Sequence, residues 1–238
     1  MKHASKKPSP AQLVFWGLFV TLVGSIVFAA YKTAVTPAVS AVAAEGERLQ
    51  SDYILMLVQC ALGLVVMFLP SALERRFHVR VPGYMSILYF VFLYCAIYLG
   101  EVRSFYYLIP HWDTMLHAMS AMMLGTLGFS LVSILNDSPD THVQLSPRFV
   151  TLFAFCFALT VGALWEIYEF SFDGLLGMNM QKFRLENGTE LIGRSALADT
   201  MKDIVTDALG ALVVSIIGGA VLFRQQKEAA QKRAEPDA

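Results

Sequence analysis

Six apolar blocks, at about 11–31, 53–70, 84–101, 114–135, 150–170 and 204–223, constrain this chain more than any other feature of its sequence. A bilayer core of about 30 Å is crossed by roughly 20 mostly apolar residues in one helix. Each block meets or nearly meets that length, so the expected fold is all-α: a polytopic membrane helix bundle of about six transmembrane helices, forming a single membrane domain over 1–238. Composition agrees, with 56% hydrophobic and 16% charged residues, where soluble domains average about 25% charged. Block ends are marked by breakers. Pro70 closes the second block, Pro82-Gly83 opens the third, Pro110 precedes the fourth, and Asn136-Asp-Ser-Pro139 ends it.

Lys2, Lys6 and Lys7 precede the first block, and the small-residue stretch "AVSAVAAEG" follows it, in the manner of a cleaved signal. Its apolar core is longer than a signal h-region of about 7–15 residues, which favours an uncleaved helix. Basic residues of the short loops set the orientation: Arg75, Arg76 and Arg80 in 71–83 stand against Arg103 in 102–113. Both termini are therefore expected inside. The segment at about 171–203 is polar and too long for a plain connector, and is expected to lie outside, where it could fold over a site. A net charge of −1 gives no sign of nucleic-acid binding, and Cys60, Cys95 and Cys156 show no disulfide or zinc-ribbon spacing.

On this topology the carboxylates segregate. Glu101 ends the third span; His111, Asp113 and His117 begin the fourth; Glu166, Glu169 and Asp173 lie at the end of the fifth; Asp199, Asp203 and Asp207 lead into the sixth. All fall on the outer side. Asp113 and His117 are i, i+4 on one helical face, Glu166, Glu169 and Asp173 share another, and Asp199, Asp203 and Asp207 form a third stripe if the helix starts early enough. A charged residue at a helix centre costs about 2.5–3.5 kcal/mol on insertion scales, and such residues face the bundle interior and mark ion or substrate paths.

So many carboxylates cannot all stay ionised without compensation by protons, by a bound cation, or by a loop base such as Arg184 or Arg194. Carboxylates with imidazole suit Zn, Mn, Fe, Mg or Ca. Asp113, His117, Glu166, Glu169, Asp203 and Asp207 are the candidate ligands, with Glu101, Asp173, Asp199 and Lys202 as outer partners. His111, beside Pro110, reads as a spectator. Met115, Met119, Met122 and Met123 read as helix packing, and Gly125, Gly128, Ala158, Gly162, Gly210, Ala211, Ser215, Gly218 and Gly219 as points of close helix approach.

Three motifs, "WDTMLHAMSA", "GALWEIYEF" and "ADTMKDIVTDALGAL", give the chain a resemblance over most of 84–223 to the YjdF-like family of small bacterial inner-membrane proteins. The order of elements also looks, more loosely, like VanZ-type membrane proteins. The resemblance implies a bacterial inner-membrane location and a helical architecture, and it implies no reaction. Three functions are compatible with the residues. The first is a metal-dependent membrane enzyme acting on a lipid-linked or envelope substrate. The second is a small proton- or cation-coupled transporter. The third is a non-catalytic envelope scaffold.

Overall fold

A computed structural model describes residues 8–37, 48–77, 81–137, 145–185 and 189–234. It is all-helical, and six of its helices are long and apolar enough to cross a membrane: Pro10–Val35, Gln50–Arg76, Gly83–Val102, Trp112–Asn136, Pro147–Leu176 and Arg194–Lys232. Among the described residues no strand forms, and one isolated bridge joins Arg184 to Glu190. By its contacts the chain divides into two compact units, 1–113 with 172–196, and 114–171 with 197–238. The cleavage-like stretch and the lysines before the first helix lie outside the described residues.

In the first unit α1 (Pro10–Val35) starts on a capping box, with the Ser9 hydroxyl and the Gln12 side chain each bonding the other's backbone N–H. Helix α2 (Gln50–Val66) begins where Asp52 accepts the Leu49 N–H at 2.9 Å. The span does not stop at Pro70. It continues as α3 (Leu69–Phe77), because a proline is tolerated in the first turn of a helix. Pro70 has no N–H to give the Val66 carbonyl, and the Tyr89 hydroxyl donates to that carbonyl at 2.8 Å. Helix α4 (Gly83–Leu93) runs into a π-helical segment, Tyr94–Val102, followed by the short α5 (Phe105–Leu108). Leu18, Leu22, Met56, Cys60, Phe90, Leu93 and Ile97 form the core of this unit, so the first helix is an integral part of its packing.

The second unit is built from α6 (Trp112–Asp137), α7 (Pro147–Leu176) and α8 (Arg194–Ala234), which carry its sequence from Thr114, to Ser171, and from Leu197 respectively. Its helices meet through small residues. An added Cβ on Gly128 would lie 3.0 Å from the Ala154 backbone, and one on Gly210 would lie 3.0 Å from the Ala118 carbonyl oxygen. Leu164, Ile167, Leu209 and Ile216 are exposed, whereas His117, Glu166, Asp203, Asp207 and Ser215 are buried. Apolar outside and polar inside is the arrangement of a membrane protein.

Two expectations shift. The polar segment at about 171–203 contracts to 177–193, because α7 runs on to Leu176 and α8 begins at Arg194. The methionine face is split: Met115 and Met122 are exposed, joining the apolar outer surface instead of the core.

Replacing Gly128 by valine pushes a branched side chain into the Ala154 backbone. Overpacking of this kind costs about 1–3 kcal/mol. Thermal unfolding in detergent should show a lower midpoint for Gly128→Val, and an unchanged one for Gly17→Val, because a Cβ at Gly17 meets nothing within 4 Å.

Candidate metal centre

The second turn of α6 carries His117, 8% exposed. Its Nδ1 lies 3.3 Å from both Oδ1 and Oδ2 of Asp207 on α8, and its Nε2 lies 3.8 Å from Oε1 of Glu166 on α7. One imidazole thus joins all three helices of the unit. Asp207 is 1% exposed, Asp203 2% and Glu166 4%, so the surrounding carboxylates are removed from solvent as thoroughly as a hydrophobic core. Because α8 starts at Arg194, Asp199, Asp203 and Asp207 do lie on one continuous helical stripe.

Asp113 belongs to the first turn of α6, and its place relative to His117 is set by that helix. One ligand atom each from Asp113, His117 and Asp203 all lie within 4.8 Å of one another. Metal–ligand bonds of about 2.0–2.6 Å span ligand pairs of a similar order, so this donor set fits a divalent cation. Carboxylate oxygens with one imidazole nitrogen suit borderline-to-hard ions.

Glu169 is half-buried, and its Oε1 accepts the Trp165 indole N–H at 2.8 Å. Asp199 faces Lys202 at 3.8 Å, in a pair that is substantially exposed. His111 is exposed, with φ of 60°. Gly162 is the residue whose role the sequence conceals most: a Cβ there would sit 2.8 Å from Cγ of Asp207. Its glycine leaves the space that the Asp207 carboxylate occupies.

Glu101 and Asp173 belong to the first unit and have their own partners. Asp173 accepts the backbone N–H groups of Met180 at 2.7 Å and Gln181 at 2.9 Å, tying the 177–185 segment to the end of α7. Lys182 then reaches Glu101 at 3.7 Å, with its ammonium 4.8 Å from the Tyr106 ring centre and 5.3 Å from that of Tyr107. The Tyr106 ring lies against Gly100, where a Cβ would stand 2.7 Å from the ring's Cζ. Burial raises the Tyr107 phenol above its ordinary pKa, and its oxygen accepts the Asn179 amide at 3.0 Å. Arg184 serves the loop itself, donating to the Gly177 and Met178 carbonyls. Nothing in the spacing of Lys182 and Glu101, far apart in sequence, announces this pair.

A family model described as "Predicted membrane protein (DUF2238)" matches residues 12–224. An uncharacterized protein of Thermotoga maritima is 26% identical over 151 residues, covering 63% of this chain and 69% of the relative. No solved structure matches.

Removing one member of a buried ion pair costs about 3–5 kcal/mol, because the other charge stays behind. Lys182→Met should therefore lower the unfolding midpoint in detergent strongly, and the double variant Lys182→Met/Glu101→Gln should recover much of the loss. Equal destabilisation in the two variants would mean that the Lys182–Glu101 contact contributes little.

Proposed function

The chain belongs to the DUF2238 family of membrane proteins, and on that premise we propose that the protein holds a divalent metal ion at His117 and works as a metal-dependent membrane enzyme. The observation that carries this reading is the placement of His117. Its imidazole is wedged between Asp207 and Glu166, and its ligand atom and those of Asp113 and Asp203 lie within 4.8 Å of one another. His117, Asp113, Asp203 and Glu166 would hold the ion, with Asp207 against the imidazole and Glu169 at the margin. A divalent ion in such a setting supplies Lewis acidity or an activated water. A carboxylate left outside the coordination sphere would serve as general base.

The multi-pass character of the chain makes the lipid bilayer its first partner. We read the YjdF-like resemblance as the same family, and place the protein in a bacterial inner membrane with both termini inside. The metal centre then opens on the extracytoplasmic side, where a lipid-linked or envelope substrate is within reach. A transport path is less well supported. Beyond Asp207, the face of α8 continues through Gly210, Ala211 and Ser215, and among the described residues the next charged side chain along α8 is Arg224.

Metal analysis of protein purified without chelator should find stoichiometric divalent metal, lost in His117→Ala and in Asp203→Asn. The expected accompaniment is a fall in thermal stability on chelation of the wild type, with no such fall in His117→Ala. Metal-free wild type that neither takes up Zn²⁺ or Mn²⁺ nor responds to chelator would end the metal reading.

A further inference from the structure

The geometry points to Asp207 as a positioning residue: it holds His117 in the tautomer with Nδ1 protonated, so that Nε2 is left as the coordinating nitrogen, and Gly162 provides the seat that lets it do so. This rests on the proposed metal site, and it divides the carboxylates of that site into two roles.

Three observations carry it. Both Asp207 oxygens lie 3.3 Å from the same ring nitrogen, Nδ1, so a proton there has this carboxylate as its acceptor, while Nε2 lies at the opposite edge of the ring. That opposite edge, Nε2, looks toward Glu166 at 3.8 Å, a separation suited to two ligands of one ion and too long for a hydrogen bond. An imidazole that gives one N–H to a carboxylate and its other nitrogen to a metal has its tautomer and ring plane set by that carboxylate. Third, the Asp207 carboxylate occupies space that any side chain at 162 would fill, since a Cβ on Gly162 would stand 2.8 Å from Cγ and 3.1 Å from Cβ of Asp207.

The short reach from α8 to α6 has a visible cause as well. Gly210, three residues beyond Asp207, lies against the Ala118 carbonyl and the Ala121 side chain, where a Cβ would come within 3.0 Å of each. Glycine at 210 thus brings the α8 backbone close to α6 beside His117. Glycine at 162 gives the aspartate room on the α7 side. Both glycines serve the same short contact.

The test uses full-length protein in detergent with selectively ¹⁵N-labelled histidine, and Zn²⁺ and Co²⁺ as the probes. In metal-free wild type, the His117 resonances should report protonation at Nδ1, and Asp207→Ala should shift the ring toward protonation at Nε2. Asp207→Ala should weaken Zn²⁺ binding by about 10–100-fold while leaving the visible Co²⁺ bands in place. Asp207→Asn, which keeps an acceptor for Nδ1–H, should lose less. Gly162→Ala should reproduce the Asp207→Ala tautomer shift, and Gly162→Ala/Asp207→Ala should behave like Asp207→Ala alone, because the added methyl then meets only the Cβ at 207, 3.1 Å away, and no carboxylate. That double variant also separates a positioning defect from a folding one.

Abolished Zn²⁺ binding in Asp207→Asn, with Co²⁺ bands altered as in Glu166→Gln, would make Asp207 a ligand and overturn the inference. So would a wild-type His117 protonated at Nε2. Absence of any Zn²⁺ or Co²⁺ binding in wild type, with the Nδ1 tautomer present and dependent on Asp207, would sink the metal reading and leave the positioning contact standing.

Discussion

An ionisable side chain set among acyl chains finds no water, so its partners must come from the protein itself. The second unit is organised by that requirement. His117, Glu166, Asp203 and Asp207 come from three helices and are all less than 9% exposed, while Leu164, Ile167, Leu209 and Ile216 turn outward. Aspartate is short, so the helices that bring it to an imidazole must approach closely. Close approach is what the glycines at 162 and 210 permit. The polar contact and the small-residue contact are therefore parts of one arrangement.

Much of the fold was legible because hydrophobic length is a direct consequence of bilayer thickness. All six apolar blocks became helices. What was not legible was where the helices end. Helix α7 passes through Ser171, Asp173 and Gly174, and α8 begins ahead of Asp199 and Lys202, residues that look like loop by composition. A helix leaving the hydrocarbon needs no apolar residues to continue, only its own backbone bonds. The π-helical segment Tyr94–Val102 was equally hidden. It contains no proline, and the contacts around it are made by distant residues: Trp112 donates to the Cys95 carbonyl and Arg48 to that of Val102.

The site was legible to the extent that helical periodicity applies. The i, i+4 relations of Asp113 with His117 and of Asp203 with Asp207 depend only on helix geometry. Spacing within a helix does not tell which of two neighbouring carboxylates turns inward. Glu166 and Glu169 are three residues apart, yet Glu166 faces His117 and Glu169 takes the Trp165 indole. The roles of Gly162 and Lys182 were out of reach for a different reason. Each depends on a partner distant in sequence, Asp207 in one case and Glu101 in the other. A glycine reads as a packing site whether it faces a methyl group or a carboxylate.

Charge balance narrows what such a centre can do. Asp113, Glu166, Asp203 and Asp207 bring as many as four negative charges to one imidazole. Among the described residues of the second unit, the basic side chains Arg148, Lys202, Arg224, Lys227 and Lys232 are all exposed, and Lys202 already faces Asp199. A bound cation is one way to compensate carboxylates gathered this closely. A divalent cation neutralises two carboxylates at once and directs several oxygens to one point. It also requires a neutral imidazole with a free nitrogen, which an Asp207 carboxylate accepting the Nδ1 proton would secure at the other edge of the ring. On the proposed reading, the acidity that makes this cluster expensive in a bilayer is what gives a cation reason to stay.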